Sequence, residues 1–239
     1  MIIATHQPIF SPWLGFFFKA MHCDLLILLD DVQFTLGTTW VSRNRFKFHQ
    51  GMLWLTIPVW KKGRGLQKIN QVEICYQQDD WPRKHLASLS TAYAHAPYWE
   101  DHRSFWEELY RQRPTKLLDL NLRIIDYLKT SLAIPVNIQL SSSLAIEASG
   151  SERLVEICRR LKATTYLAQY EARKFIQEET FAQAEVEVRY FRFHHPVYPQ
   201  LWGEFISNLS AWDLLFTCGP RSYNILARSP FKAISPPQT

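Results

Sequence analysis

A short apolar run, Met1 to Thr5, opens the chain, and a second, DLLILL at 24–29, is apolar on both of its alternating faces. Runs of that kind suit strands of a buried parallel sheet. Between them QPIFSP carries two prolines, which end pairing and favour a turn, and residues 13–21 predict a helix. His6 and the pair Asp30–Asp31 therefore fall at the carboxyl ends of two neighbouring strands. In open α/β sheets that edge is where ligands bind.

The middle of the chain changes period twice. MLWLTIPVW (52–60) and QKINQVEIC (67–75) alternate on either side of the loop KKGRGL, which predicts an antiparallel hairpin. Helical spacing then takes over: two short helices over 81–97 and 104–113, and an amphipathic one over 116–132 with Leu117, Leu120, Ile124 and Leu128 on one stripe. After that, strand and helix alternate as 134–142, 151–163, 164–169, 172–184 and 185–193, with Ser151 as the expected N-cap of the first helix. Residues 194–205 are irregular and aromatic. A last helix near 208–218 is capped by Asn208 or Ser210 and stopped by Gly219, and 227–239 reads as a flexible tail. The expected architecture is α/β: a Rossmann-like three-layer parallel sheet of about five strands, built from 1–35 and 133–226. Residues 36–132 would be an inserted hairpin and helices covering the carboxyl edge of its strands.

Composition narrows the function. Apolar content of 47% and charged content of 21% are globular values and exclude a disordered chain. No apolar run reaches the roughly 20 residues of a membrane span, and the start lacks the pattern of a signal peptide, so a cytoplasmic protein is expected. The four cysteines are too dispersed for a zinc site or a disulfide framework and read as reduced thiols. A net charge of +5 without a basic run or an RNA-binding signature favours a small anionic or sugar-linked partner over nucleic acid. The nine tryptophans supply core, and some of them a stacking platform for a base or sugar. No Walker loop, G-x-G-x-x-G turn or G-x-S-x-G elbow is present.

Several blocks in order, HQPIFSPWLGFFFK, LDDVQF, NRFKF with WLTIPV, KHL…AY…APYW and HPVYPQLWGEFISNLSAWDLLFTCGP, resemble the WbqC-like proteins, from about residue 2 to 226. The family takes its name from a member encoded in bacterial O-antigen gene clusters. The resemblance implies a transferase that places a small group, such as an aminoacyl or acyl group, on an activated sugar in surface-polysaccharide assembly. It also implies a small-residue loop of the form Ser-Gly-x-x-Gly-(Arg/Lys) after the strand TTYLA. This chain instead has AQYEARKF, keeping only Arg173 in register and weakening anion binding by that loop's backbone.

The candidate site follows from these positions. His6, with Gln7 beside it and Pro8 fixing the turn, is the expected general base. Of Asp30 and Asp31, one should face the site and the other pair with a basic residue such as Arg45; Mg²⁺ held by the pair is one reading, an ordinary ion pair the other. His195 joins them as a catalytic candidate. Asn44 and Arg45 offer donors to a carboxylate or phosphate, with Arg43 left to solvent, and Lys84 and His85 sit where a helix begins. Trp13, Gln33, Arg173, Tyr198, Gln200, Trp202, Asn208 and Ser210 complete the expected binding set, the last two with a capping role as well. Two other readings stand: an enzyme like the HxGH nucleotidyltransferases, and a binding protein for a nucleotide-sugar or small acid that performs no turnover.

Overall fold

The two apolar runs become β1 (Ile2–His6) and β2 (Leu25–Leu28), joined by α1 (Leu14–Met21). They pair in parallel, with Ile3 opposite Leu25 and His6 opposite Leu28. The computed structural model describes residues 1–35, 37–77 and 79–234. It adds β5 (Asn137–Leu140), β6 (Thr165–Gln169) and β7 (Glu187–Phe191) to the same sheet, all parallel, in the order β5-β2-β1-β6-β7. The fold class expected from the alternation is the one found.

Alternation along each strand divides the interior into two cores. Ile3, Ile27, Tyr166, Ala168, Val188 and Tyr190 point to the face covered by α5 (Gly150–Arg160) and α6 (Glu178–Gln183). Ala4, Leu26, Leu28, Leu167 and Phe191 point to the other, larger core. There they meet α1 and the apolar sides of α2 (Trp81–Tyr93), α3 (Trp99–Arg111), α4 (Leu117–Ser131) and α7 (Ala211–Cys218). The apolar residues described within 37–132 thus share one continuous core with α1 and α7. Trp99, Trp106 and Trp212 are all fully buried there. The four cysteines are free thiols.

Four local expectations are corrected. The hairpin lies earlier in the chain, as β3 (Arg43–Phe48) and β4 (Gly51–Thr56). The expected partners 52–60 and 67–75 meet only around the single bridge Val59–Ile74. Pro58 has no N–H to extend that ladder, and residues 69–71 turn as a 3-10 segment. The helix expected over 172–184 is broken into a 3-10 turn, Tyr170–Phe175, and α6. Ser151 is not a cap; Ser149 holds that position, while the Ser151 hydroxyl accepts the Gln177 N–H at 2.8 Å. The C-terminal segment is placed as far as Ile234: α8 (Ser222–Ala227) is followed by Phe231 stacked on His22 and by β8 (Ala233–Ile234), antiparallel to β7. Residues 235–239 of the expected tail lie outside the described residues.

Candidate functional site

The chain leaves β1 toward β2 on one side of the sheet and leaves β6 toward β7 on the other. β1 and β6 are neighbours, so the loops at their carboxyl ends diverge and open the crevice where ligands of doubly wound sheets bind. His6 and Gln7 stand at the end of β1, and Gln169 and Tyr170 at the end of β6. Beside β6, a surface cavity of about 740 Å³ is lined by residues of the 170–179 segment, Arg173 and Glu178 among them.

His6 is half-buried against the Phe16 ring, 5.0 Å between centroids. Its Nδ1 lies 2.8 Å from the Gln7 carbonyl oxygen, which can only accept, so Nδ1 carries the proton and Nε2 keeps its lone pair. Burial, then the nearby Lys19 ammonium, push its pKa down to about 3. Lys19 is absent from the candidates that the sequence suggests. It projects from α1, is buried, and donates from Nζ to the Thr5 carbonyl at 2.6 Å. Burial lowers its pKa to about 8. Among the described residues no carboxylate lies within ion-pair distance of it. On the opposite face of the sheet, the Thr5 hydroxyl and the Tyr166 hydroxyl share a hydrogen bond of 2.7 Å. A buried cation beside His6 with no carboxylate partner among the described residues is a place for an anion.

The aspartate pair turns toward β5. Asp30, 1% exposed, accepts from the Ser142 N–H at 2.9 Å, from Asn70 Nδ2 at 3.1 Å and from the Ser141 hydroxyl at 3.3 Å. Asp31 accepts from Ser141 and forms an ion pair with Arg153. Burial pushes the Asp31 carboxyl up, but hydrogen bonds from Ser141 and Arg153 outweigh it and hold it below the ordinary range. The partner of the pair is therefore Arg153 and not Arg45, because the β2 end abuts β5 and the hairpin does not reach it. Both Asp30 oxygens and Asp31 Oδ1 accept from donors of the protein, so the two carboxylates join the end of β2 to β5 and α5. Among the described residues no three His, Cys, Asp or Glu side chains are placed to share a metal.

Two buried asparagines hold the turn after β1. Asn44 Nδ2 donates to the Phe10 and Ser11 carbonyls at 3.0 and 2.8 Å, and Asn121 Nδ2 donates to the Pro8 and Val41 carbonyls at 2.7 and 2.8 Å. The Asn44 side-chain oxygen also accepts from the Arg45 N–H, so its amide is consumed inside the protein and offers nothing to a ligand. Arg45 reaches the Asn208 carbonyl at 3.0 Å. Arg43 is not solvated freely: its guanidinium covers the ring of Trp54.

His195 belongs to a separate cluster. Its Nδ1 lies 2.9 Å from the Pro196 carbonyl and its ring stacks on Tyr198, while burial lowers its pKa. Tyr198 and Gln200 both turn inward to the buried Asp213, at 2.9 and 2.8 Å, and Tyr93 donates to the same carboxylate at 2.8 Å. The Asp213 pKa is pushed up to about 6 by burial, against those hydrogen bonds. Among the described residues no hydrogen bond, ion pair or ring contact joins His6, the aspartate pair and His195.

The remaining candidates are dispersed. His85 is buried beside the Tyr110 hydroxyl at 3.0 Å, so it lines the core and not a phosphate site, and burial lowers its pKa to about 4. Lys84 pairs with Asp79, and Arg173 with Glu178. Trp13 lies flat over Gly15, where any side chain would strike its ring, and meets Phe193 edge-on. Trp202 donates to the Ala92 carbonyl, Ser210 caps α7, Asn208 is exposed with a left-handed backbone, and Gln33 bridges to Lys68. What could have revealed Lys19 is its setting: one lysine inside LGFFFKAM, a helix apolar on every side.

The model of the WbqC-like protein family matches residues 7–225. The uncharacterized protein Rv1507c of Mycobacterium tuberculosis is 31% identical over 226 residues, covering 94% of this chain and 96% of its own length. No solved structure matches the chain.

Proposed function

Starting from the chain's membership of the WbqC-like protein family, we propose that it is a transferase that passes a small acyl or aminoacyl group to an activated sugar in bacterial surface-polysaccharide assembly. The observation that carries this reading is Lys19, a buried ammonium near the end of β1 with no carboxylate partner among the described residues. It would receive the carboxylate or phosphate of a substrate. His6 Nε2 would accept the proton of the attacking amine or hydroxyl. A conjugate acid near pH 3 makes a weak base. An anion bound between Lys19 and His6 favours the protonated form of both, so substrate binding strengthens the base it needs.

A second reading, a protein that binds the same anion without turnover, is favoured by the 168–173 segment, where Arg173 is tied to Glu178. Thermal shift tests the common premise with wild type and Lys19→Met against nucleotide-sugars, acyl-coenzyme A, amino acids and sugar phosphates. A ligand at 100 times its Kd stabilises by about 2.7 kcal/mol. A compound that shifts the wild type and not the variant supports the crevice as the site. Equal response of both proteins, or none to any anion, sinks it. Release of free carrier from an acyl or aminoacyl donor then separates transferase from binder.

A further inference from the structure

The hairpin carries an outer face that neither the core nor the crevice uses. Alternation along β3 sends Asn44 and Phe46 inward, where both are buried, and Arg43 and Arg45 outward. Across the ladder Arg45 pairs with Trp54. Trp54 is 40% exposed and Trp40 is 48% exposed, and their rings lie 5.6 Å apart between centroids. The Arg43 guanidinium sits 3.7 Å above Trp54, and that of Arg45 lies 5.5 Å from Trp40 and 5.8 Å from Trp54. Neither arginine has a carboxylate partner among the described residues, and the Nε of each is buried without a hydrogen bond.

The Arg45 guanidinium donates only to the Asn208 carbonyl and the Met52 sulfur, and Arg43 lies on the Trp54 ring. Two guanidiniums without a carboxylate among the described residues thus stand beside two large rings left open to water, a surface that favours a covering ligand. The guanidinium fork matches phosphate oxygens, and exposed indoles stack bases of any kind because every base has a π-face. Charge counting selects the size of the ligand. Two guanidiniums match one diphosphate, whereas a nucleic-acid strand held by two phosphate contacts gains little from electrostatics. The face also stands next to the turn that leaves β1, since the Phe10 N–H donates to the Trp40 carbonyl at 2.9 Å and Asn44 grips the Phe10 and Ser11 carbonyls.

We propose that the outer face of β3–β4 binds a nucleoside diphosphate, free or as the carrier of an activated sugar, with the base on the Trp40–Trp54 pair and the diphosphate on Arg43 and Arg45. The carrier role rests on the transferase reading above; the binding does not. Isothermal titration calorimetry tests it with UDP and ADP, and with uridine and pyrophosphate as half-ligands, on wild type, Trp54→Ala, Trp54→Phe, Arg43→Gln and Lys19→Met. Wild type is expected to bind a nucleoside diphosphate more tightly than either half. Trp54→Ala should weaken it by roughly 5- to 150-fold, with Trp54→Phe between the two. Arg43→Gln should weaken it and flatten its salt dependence, while Lys19→Met leaves it unchanged. Pyrophosphate binding as tightly as UDP would reduce the face to an anion patch and overturn the proposal. So would nucleotide binding that survives Trp54→Ala and Arg43→Gln, or no binding at millimolar nucleotide. Nucleotide binding lost only in Lys19→Met would overturn this proposal and leave the Lys19 site as the nucleotide site. Loss only in the hairpin variants supports it and leaves the Lys19 site to be judged by the acyl and aminoacyl donors.

Discussion

Replacing Lys19 by methionine separates the cost of the buried ammonium from its use. The side chain is 5% exposed, and burial takes its pKa from 10.5 to about 8. Lowering a pKa by one costs the charged form about 1.4 kcal/mol, so holding this charge in the folded state costs on the order of 3 kcal/mol at pH 7. The folded pKa is below the unfolded one. The cost is therefore present in full below pH 8 and fades between about pH 8 and 10.5, where the unfolded chain still binds the proton. Lys19→Met keeps the length of the side chain and removes the charge, but it loses the bond to the Thr5 carbonyl, worth about 1 kcal/mol. The variant should be more stable than wild type at pH 7 by about 1–3 kcal/mol, with the gap gone by pH 10.5. Urea unfolding followed by tryptophan fluorescence at pH 7, 9 and 10.5 measures this, read as a change in midpoint at constant slope. A variant less stable than wild type at pH 7, or a gap that ignores pH, would contradict a penalty for the buried charge. A charge retained against its own stability cost is what a binding or catalytic group looks like.

Three further outcomes are expected. Asn121→Ala removes both bonds that tie α4 to the Pro8 and Val41 carbonyls and leaves buried acceptors, so urea unfolding should show a loss of about 2–4 kcal/mol. Arg153→Met strips the cation from a pair whose side chains are each 10% exposed, leaving Asp31 charged and buried; a loss of about 3–5 kcal/mol is expected at pH 7, shrinking in acid as Asp31 protonates. Asp213 has its folded pKa raised from 3.8 to about 6, so its contribution is fullest below pH 3.8 and declines as pH rises to 6. Asp213→Asn, which points an amide at Tyr198 and Gln200, should destabilise by about 1–3 kcal/mol, with the difference from wild type larger at pH 4.5 than at pH 7.

Periodicity made the sheet legible because its strands are buried on both faces, and DLLILL has no other stable use. It failed for β3, where RNRFKF puts arginines outward over indoles; charge there reads as loop until the tryptophans that cover it are seen. Strand ends located His6 and the aspartate pair, but not their partners. Asp31 meets Arg153 only because β5, distant in sequence, docks beside β2. Asn44, His85 and Tyr198 resemble ligand-binding residues in a string of letters, since a polar side chain that serves the backbone or another buried group is indistinguishable there from one that serves a substrate.

The segment after β6 bears on which side of the crevice an anion would be held from. A glycine-bearing loop would present backbone N–H groups to an anion at the crevice. Here Tyr170–Phe175 is a 3-10 turn, the Tyr170 ring takes the Arg192 guanidinium at 4.1 Å, and Arg173 is paired with Glu178, which also accepts from the Tyr190 hydroxyl. The cations at the end of β6 are engaged within the protein. Those at and beside the end of β1, Lys19 and the two hairpin arginines, have no carboxylate among the described residues. Under the two proposals above, an anion that reaches this edge would be held by side-chain charge from the β1 side and not by a backbone cradle from the β6 side. Binding by charge on the half-buried hairpin arginines weakens with salt, whereas binding at the fully buried Lys19 is screened less. The salt dependence of affinity therefore reports which of the two places a given ligand occupies.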